Sequence, residues 1–344
     1  MKRLNNLYEK IISLDNLILA ESKARCGKGS QIGVRIFDKN KEENLKKLHE
    51  ILKNGEFKTS KYTTFTIKEP KEREIFRLPY YPDRIVHHAI MNILEPIWLK
   101  TFTYNTYSCI KNRGISACAE QVQKIIKSYK NREKLYCLKI DIKKYYPSID
   151  NDILKGLVRK KIKDKKLLSL IDNIIDSSTG LPIGNYLSQY LSNLYLAYFM
   201  HYVNEELKVK ATEYADDICF FSDKKEVLHE TLKKIEKYLK DNLHLTLKSN
   251  YQIFPIAKNR YDKTGRALDY VGFKFFRNQK LIRKSIKKNF CKKLSKIKNK
   301  NLTDKEIKQQ IAPWLGWCKY SNSSNLLNNN GILRVNSKWH RKIR

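Results

Sequence analysis

Apolar residues recur at helical spacing through the first 55 positions, most clearly at Leu45, Leu48 and Leu52, so this opening stretch reads as basic helices. The period then changes. Residues 62–67 favour strand, Glu69-Pro70-Lys71-Glu72 offers a turn, and residues 75–79 resume extended structure. Together they predict a hairpin with Lys71, Arg73 and Arg77 near its tip and return strand. A helix over 83–100 follows, with Ile85, Ala89, Ile93 and Ile97 on one face and a kink expected at Pro96. A second helix is expected over 115–129, and a strand over 135–142 that runs apolar up to Asp141.

The pattern predicts one basic helix over 151–170 and another helix over 186–207. The loop before the latter reads Gly180-Leu181-Pro182-Ile183-Gly184-Asn185, and Ser188-Gln189 lies in its first turn. A glycine leading into a helix N-terminus suits a phosphate or a base lying against the backbone. Residues 224–242 form an amphipathic helix with Leu228, Leu232, Ile235 and Leu239 inward. Short strands are expected over 245–248, 251–254 and 268–276, with Gly272 marking a close approach by another backbone. Residues 281–300 read as a helix with one apolar face (Ile286, Phe290, Leu294, Ile297) and one basic face. Trp314 and Trp317 farther on point to packed structure there.

Charge names a class of partner. Lys and Arg number 70 against 35 acidic residues, a formal net charge of +35, which favours a polyanion and nucleic acid above all. The 21 tyrosines supply flat surfaces on which bases can stack. Seven cysteines without a C-x-x-C pair, and histidines without H-E-x-x-H, argue against zinc and disulfide frameworks and suit a reducing cytosol. The Ile11-Ile12-Ser13-Leu14 run is broken by Asp15 and Asn16 and fails as a signal peptide, and no apolar run approaches the ~20 residues of a membrane span. A soluble intracellular protein is the expectation.

Candidate chemistry centres on Tyr214-Ala215-Asp216-Asp217, between Lys208-Val209-Lys210-Ala211-Thr212-Glu213 and Ile218-Cys219-Phe220-Phe221. Two adjacent carboxylates in an apolar frame read as a tight turn between strands. Like charges that close resist ionising together unless a cation joins them, and a divalent metal shared with a substrate phosphate resolves the conflict. The plain alternative is a solvated hairpin turn. Asp141 at a strand end supplies a third carboxylate, and the basic hairpin, glycine-led helix and basic C-terminal helix complete the parts that metal-assisted phosphoryl transfer on a polymer needs.

In this order the chain resembles a reverse transcriptase. Tyr214-Ala215-Asp216-Asp217 matches that family's Y-x-D-D turn, and Leu138-Lys139-Ile140-Asp141-Ile142-Lys143-Lys144-Tyr145-Tyr146 matches its first aspartate motif. Pro79 followed by Asp83-Arg84-Ile85-Val86 resembles the fingers segment of bacterial members. Leu245-Thr246-Leu247-Lys248 and Tyr270-Val271-Gly272-Phe273 resemble the two motifs beyond the turn. The resemblance covers residues 60–290 and implies an α+β right-hand polymerase whose antiparallel palm sheet packs on helices. By position it implies an N-terminal helical extension over 1–56, fingers over 57–134 and 151–180, palm over 135–150 and 181–280, and a basic helical thumb over 281–344.

The same resemblance implies roles. Asp141, Asp216 and Asp217 would be catalytic and hold two Mg²⁺ ions, for which Mn²⁺ could substitute. Lys71 and Arg73 would contact the incoming triphosphate, and Tyr146 would be the steric gate against a ribose 2′-hydroxyl. Ile183, Gly184, Gln189 and Lys248 would complete the nucleotide site, and Arg283, Lys284, Lys287 and Lys288 would bind nucleic acid. Template RNA, a primer or cDNA, and dNTPs are the implied partners, and the implied setting is the cytoplasm, for a bacterial or phage-encoded protein.

Ile183-Gly184-Asn185-Tyr186-Leu187-Ser188-Gln189 reads I-G-x-x-x-S-Q where most bacterial relatives carry Q-G-x-x-x-S-P. That pattern, with Arg283-Lys284-Ser285-Ile286, is similar to the enzymes of diversity-generating retroelements. It implies error-prone copying at template adenines, mutagenic retrohoming and a small basic accessory protein. Retron, group II intron-like and phage-defence reverse transcriptases are the neighbouring alternatives. An inactive RNA-binding scaffold is the alternative of another class, and the three intact carboxylates speak against it.

Overall fold

A computed structural model describes residues 3–68, 72–298, 300, 302–330, 332–335 and 338–341. The chain divides into two compact units, one of Met1–Thr106, Asp141–Leu207 and Lys234–Lys248, the other of Tyr107–Ile140, Lys208–Lys233 and Ser249–Arg344.

The opening helices of the first unit are α1 (Tyr8–Ile12), α2 (Leu14–Ala24), α3 (Ile32–Asp38) and α4 (Lys41–Lys53). The apolar stripe read from the sequence is their inner face, with Leu45, Leu48 and Leu52 buried. Within it Glu21 is wholly buried, with Arg25 Nε 2.6 Å from Oε1, Lys41 Nζ 2.8 Å from Oε2, and the Tyr80 hydroxyl donating to Oε1 at 2.7 Å. Burial alone would raise its pKa, but the two cations and the hydroxyl outweigh that, and the net shift is downward.

The predicted hairpin forms, with β1 (Thr63–Ile67) antiparallel to β2 (Arg73–Arg77). A single wide turn, Tyr80–Arg84, leads into α5 (Ile85–Leu99), which runs on through Pro96. Next come β3 (Thr106–Tyr107), α6 (Ile115–Ser128) and β4 (Tyr136–Asp141). The one helix expected over 151–170 is two, α7 (Asn151–Arg159) and α8 (Lys165–Ile175). Asp164 makes the break. Its carboxylate caps α8 by accepting from Leu167 N at 3.2 Å, and it also accepts from Leu7 N and Tyr8 N at 2.8 and 2.9 Å. The long helix α9 (Tyr186–Tyr202) is buried along most of its length.

In the second unit β5 (Lys210–Tyr214) and β6 (Asp217–Ser222) form an antiparallel hairpin. Helix α10 (Lys225–Leu243) follows, belonging to the first unit from Lys234 on, and then β7 (Gln252–Pro255) in the second. The central sheet has the order β3-β5-β6-β4-β7. The apolar run of β6 is buried from Ile218 to Ser222, as expected for a strand covered on both faces. Residues 245–248 were expected to be a strand, but they make a single bridge, Leu247 to Ile142.

The strand expected over 268–276 is also two, β8 (Leu268–Tyr270) and β9 (Phe273–Phe275), paired with β10 (Lys280–Ile282) in the order β10-β9-β8. Val271 at φ 40° and Gly272 at φ 84° reverse the chain. What approaches Gly272 is a ring rather than a backbone: a Cβ there would lie 2.4 Å from Trp317. The basic helix starts later than expected, as α11 (Lys284–Lys298), because Leu281 belongs to β10. Phe290, Leu294 and Ile297 bury against Ile307 and Ile311 of α12 (Asp304–Lys319). Then come α13 (Ser324–Asn328) and a hairpin of β11 (Ile332–Val335) and β12 (Lys338–Arg341). Each unit thus combines helices with antiparallel strands, the α+β class expected. All seven cysteines are free, and among the described residues no helix is long and apolar enough to cross a membrane.

Candidate active site

The Asp-Asp pair stands where the sequence placed it, on the turn between β5 and β6. Tyr214 pairs with Asp217, leaving Ala215 and Asp216 as the turn, with Ala215 at φ 55°. An alanine in the left-handed region is strained by about 1–2 kcal/mol. Both carboxylates are half-buried. The Asp217 carboxylate is met by Lys139 of β4, Nζ to Oδ2 3.1 Å, and the same Nζ donates to the Asp269 carbonyl at 2.9 Å. Burial would lower the Lys139 pKa, but the Asp217 charge overrides it and the net shift is upward. The main chain of Asp217 is held as well: the fully buried Tyr270 donates its hydroxyl to the Asp217 carbonyl at 2.9 Å.

Asp141 closes β4 and belongs to the first unit. Side chains alternate along a strand, so Lys139 and Asp141 share a face, and both are half-buried while Leu138 and Ile140 are buried. The segment before Lys248 runs alongside: Lys143 N donates to Thr246 O and Lys248 N to Asp141 O, each at 2.9 Å. That register delivers the Lys248 ammonium to Asp141 Oδ2 at 2.6 Å. Tyr146 follows in a short turn, Tyr146–Ser148, its hydroxyl 3.2 Å from Ser192 Oγ. Gly180 packs under it, where a Cβ would lie 2.7 Å from the Tyr146 carbonyl oxygen.

The I-G segment is docked on the hairpin. Phe76 N donates to Ile183 O at 2.8 Å, and Gly184, at φ 123°, comes so near that a Cβ would sit 2.7 Å from Phe76 O. Beside it opens a cavity of about 580 Å³ lined by Phe65, Arg77, Arg84, Asn185 and Tyr186, among others. Aromatic rings and guanidinium groups together suit a nucleotide. Gln189 lies half-buried in the first turn of α9. Arg73 is exposed at the start of β2, and Lys71 lies outside the described residues. On α11, Lys284, Lys287 and Lys288 are exposed, whereas Arg283 is engaged, Nε to Asp269 Oδ1 2.6 Å.

Sequence reasoning missed Lys139 and Tyr270 as site residues. Lys139 had a signal, since it stands two positions before Asp141 on one strand face. Tyr270 stood in the Tyr270-Val271-Gly272-Phe273 motif but was given no role of its own, because a tyrosine in an apolar strand reads as core. The donors available to a cation are carboxylate oxygens, and Asp141 Oδ1 is buried without a hydrogen-bond partner among the described residues. That chemistry fits a hard divalent ion such as Mg²⁺. Among the described residues no three His, Cys, Asp or Glu side chains are gathered into a preformed metal cluster, and Asp141 and Asp217 are each paired with a lysine.

The family described as reverse transcriptase (RNA-dependent DNA polymerase) matches residues 67–254. The chain is similar to the group II intron-encoded protein LtrA of Lactococcus lactis subsp. cremoris, 26% identical over 212 residues, covering 58% of this chain and 34% of LtrA. It is 25% identical over 139 residues to protein YkfC of Escherichia coli, covering 37% of this chain and 36% of that one. It is 23% identical over 180 residues to nuclear intron maturase 4, mitochondrial, of Arabidopsis thaliana, covering 49% and 22%. The chain therefore spans about a third or less of the length of these relatives. Among solved structures, apo telomerase from Candida tropicalis gives a TM-score of 0.45 at 11% identity, over 64% of this chain and 48% of that one. The family match takes in Asp141, Tyr146, the I-G segment, the Tyr214–Asp217 turn and Lys248 in that order, and the chain belongs to the reverse transcriptase family.

Proposed function

We propose that this chain is an RNA-directed DNA polymerase that copies a template RNA into cDNA. The observation that carries the reading is the hairpin turn that presents Asp216 and Asp217 inside a family match more than half the chain long. In the reaction a primer 3′-oxygen attacks the α-phosphorus of a dNTP, and the bond to pyrophosphate breaks. Two Mg²⁺ ions bound through Asp141, Asp216 and Asp217 would supply the positive charge that activates the attacking oxygen and stabilises the leaving one. Tyr146, with its hydroxyl fixed at Ser192, stands as the wall against a 2′-hydroxyl. Ile183 and Gly184 back the nascent base pair, and Arg73 with Lys71 takes the triphosphate. Exposed Lys284, Lys287 and Lys288 grip backbone phosphates, so binding weakens steeply with salt. Residues 57–134 and 151–180 serve as fingers, 135–150 and 181–280 as palm, and 281–344 as thumb.

Within the family, the I-G-x-x-x-S-Q segment supports a diversity-generating retroelement enzyme, error-prone at template adenines and working with a small basic accessory protein in mutagenic retrohoming. The similarity to an intron-encoded protein and an intron maturase supports a second reading, an intron-type enzyme. Primer extension on an RNA template with Mg²⁺, comparing the parent with Asp216→Asn, tests the activity, and equal extension by both would sink it. Sequencing the cDNA separates the two subfamilies: errors concentrated at adenines favour the first, and errors spread over all four bases favour the second.

A further inference from the structure

Two adjacent carboxylates on a turn strained at Ala215 need something to hold them, since their mutual repulsion and the left-handed backbone both favour opening. Lys139 and Tyr270 of the second unit both meet the turn. Lys139 takes the Asp217 carboxylate, and is itself fixed by the Asp269 carbonyl. The next residue, Tyr270, takes the Asp217 main chain, and its hydroxyl also lies 3.3 Å from the Thr212 carbonyl on the opposite strand. The ring of Tyr270 is fully buried among Cys118, Cys219 and Phe273, so the hydroxyl cannot swing away to water. The reversal at Val271 and Gly272, seated on Trp317, fixes where that ring enters.

We propose that Tyr270 is a positioning residue for the metal-binding turn: its hydroxyl, bonded to the Asp217 carbonyl, sets the direction in which the Asp216 and Asp217 carboxylates point. A carbonyl oxygen has two lone pairs, so Tyr270 can donate to it without displacing the hairpin's own bonding. The proposal rests on the polymerase reading above.

The test uses the full chain with Tyr270→Phe, which keeps the ring and removes the hydroxyl. Mn²⁺ is titrated, with electron paramagnetic resonance as the readout, into protein holding an RNA template, a dideoxy-terminated primer and the matching dNTP, so no turnover occurs. Tyr270→Phe should weaken Mn²⁺ binding about tenfold and lower kcat on extendable primer by a similar factor, with KM for dNTP within about twofold of the parent. Val122→Ala, buried in the same core, serves as a comparison for lost stability, which a thermal melt of each variant reads. Mn²⁺ affinity equal to the parent, or lowered no more than in Val122→Ala, overturns the proposal. Asp216→Asn reports separately on the reading beneath it. Full activity in that variant defeats the polymerase reading, whereas its inactivity beside an unaltered Tyr270→Phe defeats the positioning role alone.

Discussion

Replacing Gly184 by alanine puts a methyl group where the hairpin backbone already lies. The residue sits at φ 123°, which an alanine enters at a cost of about 1–3 kcal/mol. Its Cβ would stand 2.7 Å from Phe76 O and 3.0 Å from Ile75 Cγ2, and the first neighbour is main chain, which cannot rotate aside. β2 must shift by about half an ångström, which weakens the Phe76 N to Ile183 O bond, worth about 1 kcal/mol. Against this, alanine stiffens the unfolded chain by about 0.4–1 kcal/mol. The net expectation is a loss of about 2–3 kcal/mol, or about 4–12 °C in the melting temperature of a unit of this size. Thermal melts of the full chain read the stability, and KM for dNTP in primer extension reads the displaced I-G segment and should rise. Gly156→Ala in α7 is the control: a Cβ there meets nothing within 4 Å, so it should stabilise by about 0.5–1 kcal/mol. A Gly184→Ala melt within about 1 °C of the parent would refute the close approach.

Tyr146→Ala should raise ribonucleotide incorporation relative to deoxyribonucleotide by about 10–100-fold, read as the ratio of kcat/KM values; an unchanged ratio removes Tyr146 from the gate. Ile183→Gln adds a hydrogen-bonding side chain beside the nascent pair and should lower errors opposite template adenines, measured by sequencing the cDNA; an unaltered spectrum rejects that role. Glu21→Gln removes a buried charge from between Arg25 and Lys41 and should cost about 3 kcal/mol at pH 7 in urea melts. The folded pKa of Glu21 is depressed, so its contribution is complete above the unfolded carboxylate value near 4.3 and is lost as pH falls through the folded value. The parent should lose stability from pH 5 downward more steeply than Glu21→Gln, and parallel curves would contradict the assignment.

The parts of the fold written in local pattern were legible. The β5–β6 turn announced itself as two carboxylates between apolar runs, and α6 and α10 follow their stripes to within a residue or two. What failed to show were the places where distant groups override local preference. The break between α7 and α8 depends on Asp164 meeting Leu7 and Tyr8, more than 150 positions earlier. Val271 is β-branched and favours strand, yet it sits at φ 40° in a turn whose next residue packs on Trp317. At the site, Asp141, Asp217 and Lys248 were found as types of residue, but their pairing was not. Lys248 reaches Asp141 through a main-chain register that no spacing rule predicts. Arg283 was read as a nucleic-acid contact, and its pairing with Asp269, fourteen positions before it, was not foreseen.

Lys248 and Lys139 explain how Asp141 and Asp217 keep half-buried carboxylates. A lone carboxylate there would lose hydration with nothing in return. Lys248 at 2.6 Å and Lys139 at 3.1 Å each return a charge-assisted hydrogen bond, which at this partial exposure offsets the loss by about 1 kcal/mol. They are held differently. Lys248 is delivered by its own backbone bond to Asp141, whereas Lys139 is anchored by the Asp269 carbonyl, outside the turn it meets. In the proposed reaction an ion at Asp141 would compete with a lysine tied to it, and Asp141 Oδ1, the oxygen without a hydrogen-bond partner among the described residues, is where that competition would be weakest.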